Sequence, residues 1–500
     1  MSDESLSEKS TFAHISRGAA VTLVGKVLGA LLGFTSSLFI TRSFGSGTFG
    51  GLRFALSLMT IVSILSIVGV SSGVQRFVAT ADSDSDAISY YFLSMGVGFV
   101  SSIIVGSVTF FSADSISIFF FGNDDPGIFL RFVGISLPFV ALYKISLSAT
   151  RGWNYSSPNT LIRDIAVKLI KFITFGGVVY FGLSQTSIAI SLLVIYGSVF
   201  LLSILATAYV IRRQIDDPWR VIRSVKFDIE KLHVLLSFSI PLVFTKGVWF
   251  LMNNADTLMI GYFSDESAVG LYAAAFSLAV FVRMVLGASG ALFMPNLAKL
   301  YENDQLTDLQ SVYRRTTKWM IVLSLPVMIG NLGFPDVLLS LFRQEFVSAS
   351  LTLGVLSVGV FSHVLFGLNS GALKSIDRPR ILLYNNILVL VLNLILNVIL
   401  IPRFGILGGA VATSVSYILL NILHGFVLYR DIRLVPVRLD FLGLTLVWLA
   451  VIVGAAQTLG AGITTLPAAL VFGAIGFCLY VGTAWRLGYV STSEFNGLIS

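Results

Sequence analysis

Charged side chains are scarce in this chain, and their scarcity decides its class. Asp, Glu, Lys and Arg make up 12% of its 500 residues, about half the share an ordinary soluble domain carries. Too few of them are available to clothe a water-facing surface of that size. Cysteine is almost absent too. The single Cys478 lies inside an apolar run, which excludes a disulfide and a cysteine-rich metal site. No metal and no cofactor is expected. The first ten residues lack the basic stretch and small-residue cleavage site of a secretory signal. The first apolar run is therefore expected to stay as a permanent helix.

What the chain has instead is apolar length. Hydrophobic residues reach 55%, mean hydropathy is +0.88, and the apolar residues come in runs of roughly twenty, enough to cross a bilayer core. The expectation is an all-α polytopic membrane protein with about fourteen transmembrane helices. They fall near 18–41, 50–73, 88–111, 128–149, 161–183, 187–211, 235–262, 268–293, 317–334, 350–372, 382–402, 406–429, 440–459 and 464–485. The formal charge of +7 does not point to nucleic acid, because the basic residues sit in short loops between apolar runs. With the N-terminus cytoplasmic, the 33 Lys and Arg divide into 23 in inner segments, 5 in outer ones and 5 within spans. That bias is the positive-inside pattern, and an even helix count returns the C-terminus to the same side. Two inner stripes, Trp219, Ile222, Val225 and Ile229, then Leu306, Leu309, Val312 and Tyr313, are expected to lie along the headgroup boundary.

Two halves of the chain resemble each other at an offset of about 220 residues. Phe44-Gly45-Ser46 and Gly51-Leu52 match Phe263-Ser264-Asp265 and Gly270-Leu271. Ala149, Arg151 and Pro158 match Ala372, Lys374 and Pro379, and Gly182 matches Gly405. Six helices separate the copies, so the repeat is parallel. The expected organisation is a cytoplasmic segment 1–17 and an N-lobe 18–211. A linker 212–234, a C-lobe 235–429, and a two-helix appendage with a tail, 430–500, follow.

Five basic residues fall within spans: Lys26, Lys168, Lys171, Lys246 and Arg283. Each costs about 2.5–3.5 kcal/mol at a helix centre. Lys168 and Lys171 follow an inner loop closely and are expected to snorkel back to it. Lys26 and Lys246 occupy equivalent places in the two halves. Equivalent faces of a pseudo-symmetric bundle meet at its centre, so the pair brings two cations toward one space, which favours an anionic visitor. Lys246, Trp249, Asn253 and Asp256 share one helix face at steps of three, four and three. A lipid-facing side has no use for a Lys, an Asn and an Asp, so this stripe is expected to line a hydrated cavity; Asp256 serves equally as a structural counter-charge. Gly25, Gly29 and Gly33 make a ridge that another helix can approach closely. Arg283 and Arg53 extend the basic track outward. His363 and His424, alone in apolar helices, are expected to bond to neighbours, as are Asn386, Asn393 and Asn397.

The stretch Gly18-Ala19-Ala20 to Leu31-Leu32-Gly33, then Thr41-Arg42-Ser43-Phe44-Gly45 and Phe49-Gly50-Gly51-Leu52, resembles the N-terminal signature of the polysaccharide-biosynthesis flippases. These belong to the multidrug/oligosaccharidyl-lipid/polysaccharide exporter superfamily. Phe44 stands where the family usually has Leu. The resemblance covers essentially the whole chain. It implies two six-helix lobes in a V that alternate between inward and outward openings. It also implies a cationic cavity for the phosphate or pyrophosphate of a polyprenyl-linked glycan, lined from the first, second, seventh and eighth helices. Lys26, Arg53, Lys246 and Arg283 stand on those helices. Implied partners are the polyprenyl-linked oligosaccharide, membrane lipid and glycan-assembly enzymes. A multidrug and toxin extrusion antiporter shares the architecture, but its organic cations call for an acidic cavity. A membrane glycosyltransferase would need paired carboxylates in the first outer loop, and Arg42 to Gly51 has none.

Overall fold

The computed structural model describes residues 3–155, 157–225, 228–459 and 463–490. Among them every regular element is helical. The principal helices are α1 (Asp3–Ile67), α2 (Val70–Ala79), α3 (Asp84–Phe111), α4 (Gly127–Gly152), α5 (Val167–Tyr180), α6 (Gln185–Gln214), α7 (Ile229–Phe263), α8 (Glu266–Ala279), α9 (Leu306–Gly333), α10 (Ser350–Leu365), α11 (Pro379–Ile432), α12 (Leu439–Leu459) and α13 (Leu466–Arg486).

Ten stretches of the described chain are long and apolar enough to span a membrane, against the fourteen expected. Two of the ten, Leu28–Ile67 and Pro379–Ile432, each join two helices across a break. The breaks are at Gly45 (φ 79°, ψ −173°) and Gly405 (φ 57°, ψ −135°), in the gaps expected between spans. The fifth expected span is a π-helical turn, Leu161–Ala166, running into α5. With Lys168 and Lys171 inside it, it is too polar to count by hydropathy. The ninth lies in the second part of α9, after Arg314 and Arg315, and with Lys318 and Asn331 in it is also not among the ten.

The matched segments of the two halves share backbone geometry. After α4, Tyr155 N–H donates to Thr150 O and Asn154 N–H to Arg151 O. In the second half Arg378 N–H donates to Leu373 O and Asp377 N–H to Lys374 O. Both are six-to-one and five-to-two closures of a helix end, each turning on a left-handed non-glycine residue, Asn154 (φ 62°) and Asp377 (φ 56°). Gly182 (φ 61°) and Gly405 (φ 57°) correspond likewise. Gly50 and Gly270, 220 residues apart, meet reciprocally. A Cβ on Gly50 would strike the Glu266 carbonyl, and one on Gly270 the Ser46 carbonyl. Beside this contact Ser46 Oγ and Ser267 Oγ are 2.6 Å apart.

By compactness the chain forms one unit over Val24–Gly270 and another built mainly from Leu271 onward. In the first, α7 packs with α2 and α3, around Val70, Val74, Ile88, Ile145, Val210 and Leu235. In the second, Leu297, Leu309, Tyr313, Leu373 and Leu428 make a buried cluster. The stripe at Leu306–Tyr313 is thus largely buried, with Leu306 exposed. It is the first turns of α9, and Tyr313 donates from its hydroxyl to Phe366 O at 2.6 Å. The other stripe divides: Ile222 and Val225 pack against the core, while Trp219 and Ile229 are exposed.

Candidate functional site

The first unit holds several of its basic residues partly buried, and the partners of these are mostly neutral. On α7, Lys246 Nζ donates to Ser71 Oγ at 2.9 Å, just past the point where the second span is broken between α1 and α2. On α4, Lys144 Nζ donates to Ser63 Oγ, also at 2.9 Å. Lys144 and Lys246 are within electrostatic reach of each other. Ser63 is fully buried, so this bond sits well inside the helix packing. Arg151, about two helical turns beyond Lys144, donates to Ser148 Oγ at 2.9 Å.

A second group gathers around Arg53. Its guanidinium carbon lies 5.0 Å from the centre of the Phe49 ring, and its Nε is buried without a hydrogen-bond partner. An unmet donor of this kind costs about 1–3 kcal/mol, more when charged. Lys168 and Lys171 are within electrostatic reach of Arg53. Lys171 Nζ sits 5.7 Å from the Tyr196 ring centre, and Tyr196 stacks on Tyr143. Asp164, the carboxylate near Lys168, is paired with Arg163 at 3.4 Å. Among the described residues, none of Arg53, Lys144, Lys168, Lys171 and Lys246 has a carboxylate within 4.0 Å.

Lys168 and Lys171 gather with Arg53 beside α1. The glycine ridge of α1 explains why. A Cβ on Gly29 would collide with the Asp164 carbonyl, and one on Gly33 would sit 3.8 Å from Lys168 Cδ and 3.9 Å from its Nζ. The π-helical turn and the start of α5 therefore run directly against the ridge. Register against the first helix is what brings Lys168 to Gly33. Lys144 escaped notice because it was counted with the loop charges.

The remaining expected site residues distribute as follows. Asn253 is half-buried and Asp256 is 8% exposed, both on α7. The side chains of Lys26 and Trp249 lie outside the described residues. Arg283 belongs to the second unit, at the end of a 3-10 turn, Val280–Arg283, that interrupts the eighth span. There it lies near His363. His363 Nδ1 meets Asn421 Nδ2 at 3.0 Å, Asn369 Nδ2 donates to Asn421 Oδ1 at 2.8 Å, and His424 Nδ1 lies 3.4 Å from Ser370 Oγ. Both histidines have neighbours, as expected. Asn397 donates to Asn393 within α11 at 3.0 Å.

Residues 15–300 match the family model for polysaccharide biosynthesis proteins. The chain belongs to that family. Residues 241–399 also match the MatE model, consistent with a superfamily that includes both. Two curated relatives come from Haloferax volcanii. One, described as a probable low-salt glycan biosynthesis flippase, is 31% identical over 173 residues, 34% of this chain and 36% of the relative. The other, described as a probable flippase, is 30% identical over 185 residues, 36% of this chain and 39% of the relative. The alignments thus span less than two-fifths of either relative's length. Among solved structures, the lipid II flippase MurJ in an inward closed conformation superposes with a TM-score of 0.71 at 15% identity. It covers 94% of this chain and 100% of that one. The family member described here therefore has a multi-pass, all-α membrane fold of that kind.

Proposed function

We propose that this protein is a flippase that moves polyprenyl-(pyro)phosphate-linked oligosaccharide across the cytoplasmic membrane by alternating access, in assembly of surface polysaccharide or glycoprotein glycan. It is a transporter and not an enzyme. The observation that carries the proposal is the group of inward cations in Val24–Gly270 whose partners are serines and aromatic rings. Cations kept in an apolar setting without counter-charge are costly, and an anionic ligand offsets that cost. The phosphate-bearing head enters from the cytoplasm while the tail stays in lipid. Lys26 and Lys246 receive the phosphate. Arg53 and Arg283 provide further stations, with Trp249 and Asn253 on the sugars and Asp256 as the coupling-ion candidate. Lys144, Lys168 and Lys171 join that set. The lobes are 18–211 and 235–429, and both termini are cytoplasmic. Glycan-assembly enzymes supply the cargo.

The match of 241–399 to the MatE model favours a second reading, a multidrug and toxin extrusion-type cation antiporter. The sign of the inward charges weighs against it. Leaflet sidedness of a labelled polyprenyl-diphosphate oligosaccharide in proteoliposomes decides between them. Native protein should carry the label across and Lys246→Glu should not. Transport of organic cations without glycan crossing would replace the flippase with the antiporter.

A further inference from the structure

The second unit contains a cavity of about 960 Å³ lined by none of the residues assigned to transport above. It is framed by the first turns of α9, the segment between α11 and α12, and Gly488–Tyr489. Five basic side chains line it, Arg314, Arg315, Lys318, Arg433 and Arg438, against a single carboxylate, Asp431. That carboxylate is already engaged, by Arg378 at 2.9 Å and Arg430 at 2.8 Å. Orientation of the chain by loop charges accounts for basic residues at this end. It does not account for their convergence on one cavity, since charges that only set topology gain by spreading into water.

Neutral groups hold several of these cations in place. Lys318 Nζ donates to Tyr489 O at 2.7 Å. Arg314 Nε points at Val435 O at 3.4 Å, and the Gln310 amide, turned to accept, takes Arg314 at 2.7 and 3.0 Å. The Arg433 guanidinium lies 5.1 Å from the Tyr429 ring centre. Arg438 is bound to Asp440 at 2.7 Å. Asp440 thus neutralises Arg438, while the bonds to carbonyls and an amide and the ring contact position Lys318, Arg314 and Arg433 without themselves supplying counter-charge. Leu306, Val437 and Phe441 give the same cavity apolar wall. Positive charge beside apolar wall at the end of a helix bundle matches a phosphate joined to acyl chains.

We propose that this cavity binds a phosphate group, with Arg314, Arg315 and Lys318 around the phosphate oxygens. Its source is either an anionic phospholipid of the leaflet on that side or a soluble phosphate ester. The arginines supply planar forks that match phosphate oxygens, and the lysine supplies a point charge. The site shares no residue with the transport cations and does not depend on the flippase reading.

The test uses the full-length protein in phosphatidylcholine micelles, with phosphatidylglycerol added as the probe and retained lipid counted by native mass spectrometry. Retention of phosphatidylglycerol at least tenfold above chance is expected. Arg315→Gln/Lys318→Gln should lower it about tenfold, and Arg315→Lys/Lys318→Arg should restore most of it. Thermal melting of each variant shows whether the fold survives. Competition with inorganic phosphate separates the sources: resistance assigns a lipid headgroup, and displacement assigns a soluble ester. Equal retention by native protein and the folded glutamine variant, with no shift on adding inorganic phosphate, would overturn the proposal. Glycan transport measured in parallel reports on the flippase reading alone.

Discussion

The two halves of the molecule end their helices in the same way and fill their interiors differently. Asn154 and Asp377 close equivalent helices with the same pair of hydrogen bonds, and Gly182 and Gly405 take the same left-handed turn. At the repeat offset, however, Arg53 corresponds to Ala273 (53 plus 220), Lys171 to Asn393 (171 plus 222) and Lys144 to Gly367 (144 plus 223). The first half keeps cations where the second keeps small or amide side chains. Its polar interior is the network of Asn369, Asn421, His363 and His424, with Arg283 its nearest cation. Lys246 is the exception, matching Lys26 across the halves. Because the second half folds without cations at the other three places, the contrast supports the proposed role of these cations in handling an anion.

The largest effect should follow from reversing a charge in the first half. Arg53→Glu is expected to reduce transport of the labelled polyprenyl-diphosphate glycan by about a hundredfold, given the 2–5 kcal/mol that a buried charge contact typically carries. An unchanged rate in proteoliposomes would separate the cations from transport and dissolve the contrast between halves. Next comes putting the first-half residue into the second. Asn393→Lys is expected to destabilise by about 3 kcal/mol, the cost of a cation at mid-membrane, read as a lower melting temperature in detergent. The reciprocal Lys171→Asn should melt no lower than the native protein and lose about tenfold in transport. A large fall in its melting temperature would make Lys171 a structural residue. Gly50→Ala then probes what the halves share. Its Cβ collides with backbone at the reciprocal contact with Gly270, and overpacking of this kind costs about 1–3 kcal/mol. Gly270→Ala should cost about as much, and a wide disparity would argue against the two-fold character of the contact.

The class, most spans and the repeat were legible because apolar length, glycine and helix-end residues act locally. Gly45 and Gly405 break helices where the sequence leaves gaps, and the Ala149–Arg151 and Ala372–Lys374 matches reflect a shared cap. What stayed hidden depends on register between helices. Lys168 lies against Gly33 on the first helix, and only packing against the ridge reveals that. A stripe such as Leu306–Tyr313 has the same period whether it faces lipid headgroups or a protein core, so its burial could not be told from spacing. The equivalence of Lys26 with Lys246 rests on sequence offset alone, because the Lys26 side chain lies outside the described residues.

The smallest effect is expected in the second half's own network, and it is the sharpest test of the division. The Asn421 Nδ2 group faces Ser362 Oγ at 2.9 Å, His363 Nδ1 at 3.0 Å and Tyr417 O at 2.8 Å. An amide carries only two N–H donors, so one acceptor must share or go without. Asn421→Ala removes these bonds and strands Asn369 Nδ2, yet one donor was already overcommitted. Membrane hydrogen bonds of this kind average about 0.6 kcal/mol and reach about 1.7. A modest drop in melting temperature with near-native glycan transport is therefore expected. A tenfold loss of transport at native stability would instead give the neutral network a part in moving the cargo. The second half would then contribute to the substrate path through dipoles where the first contributes charge.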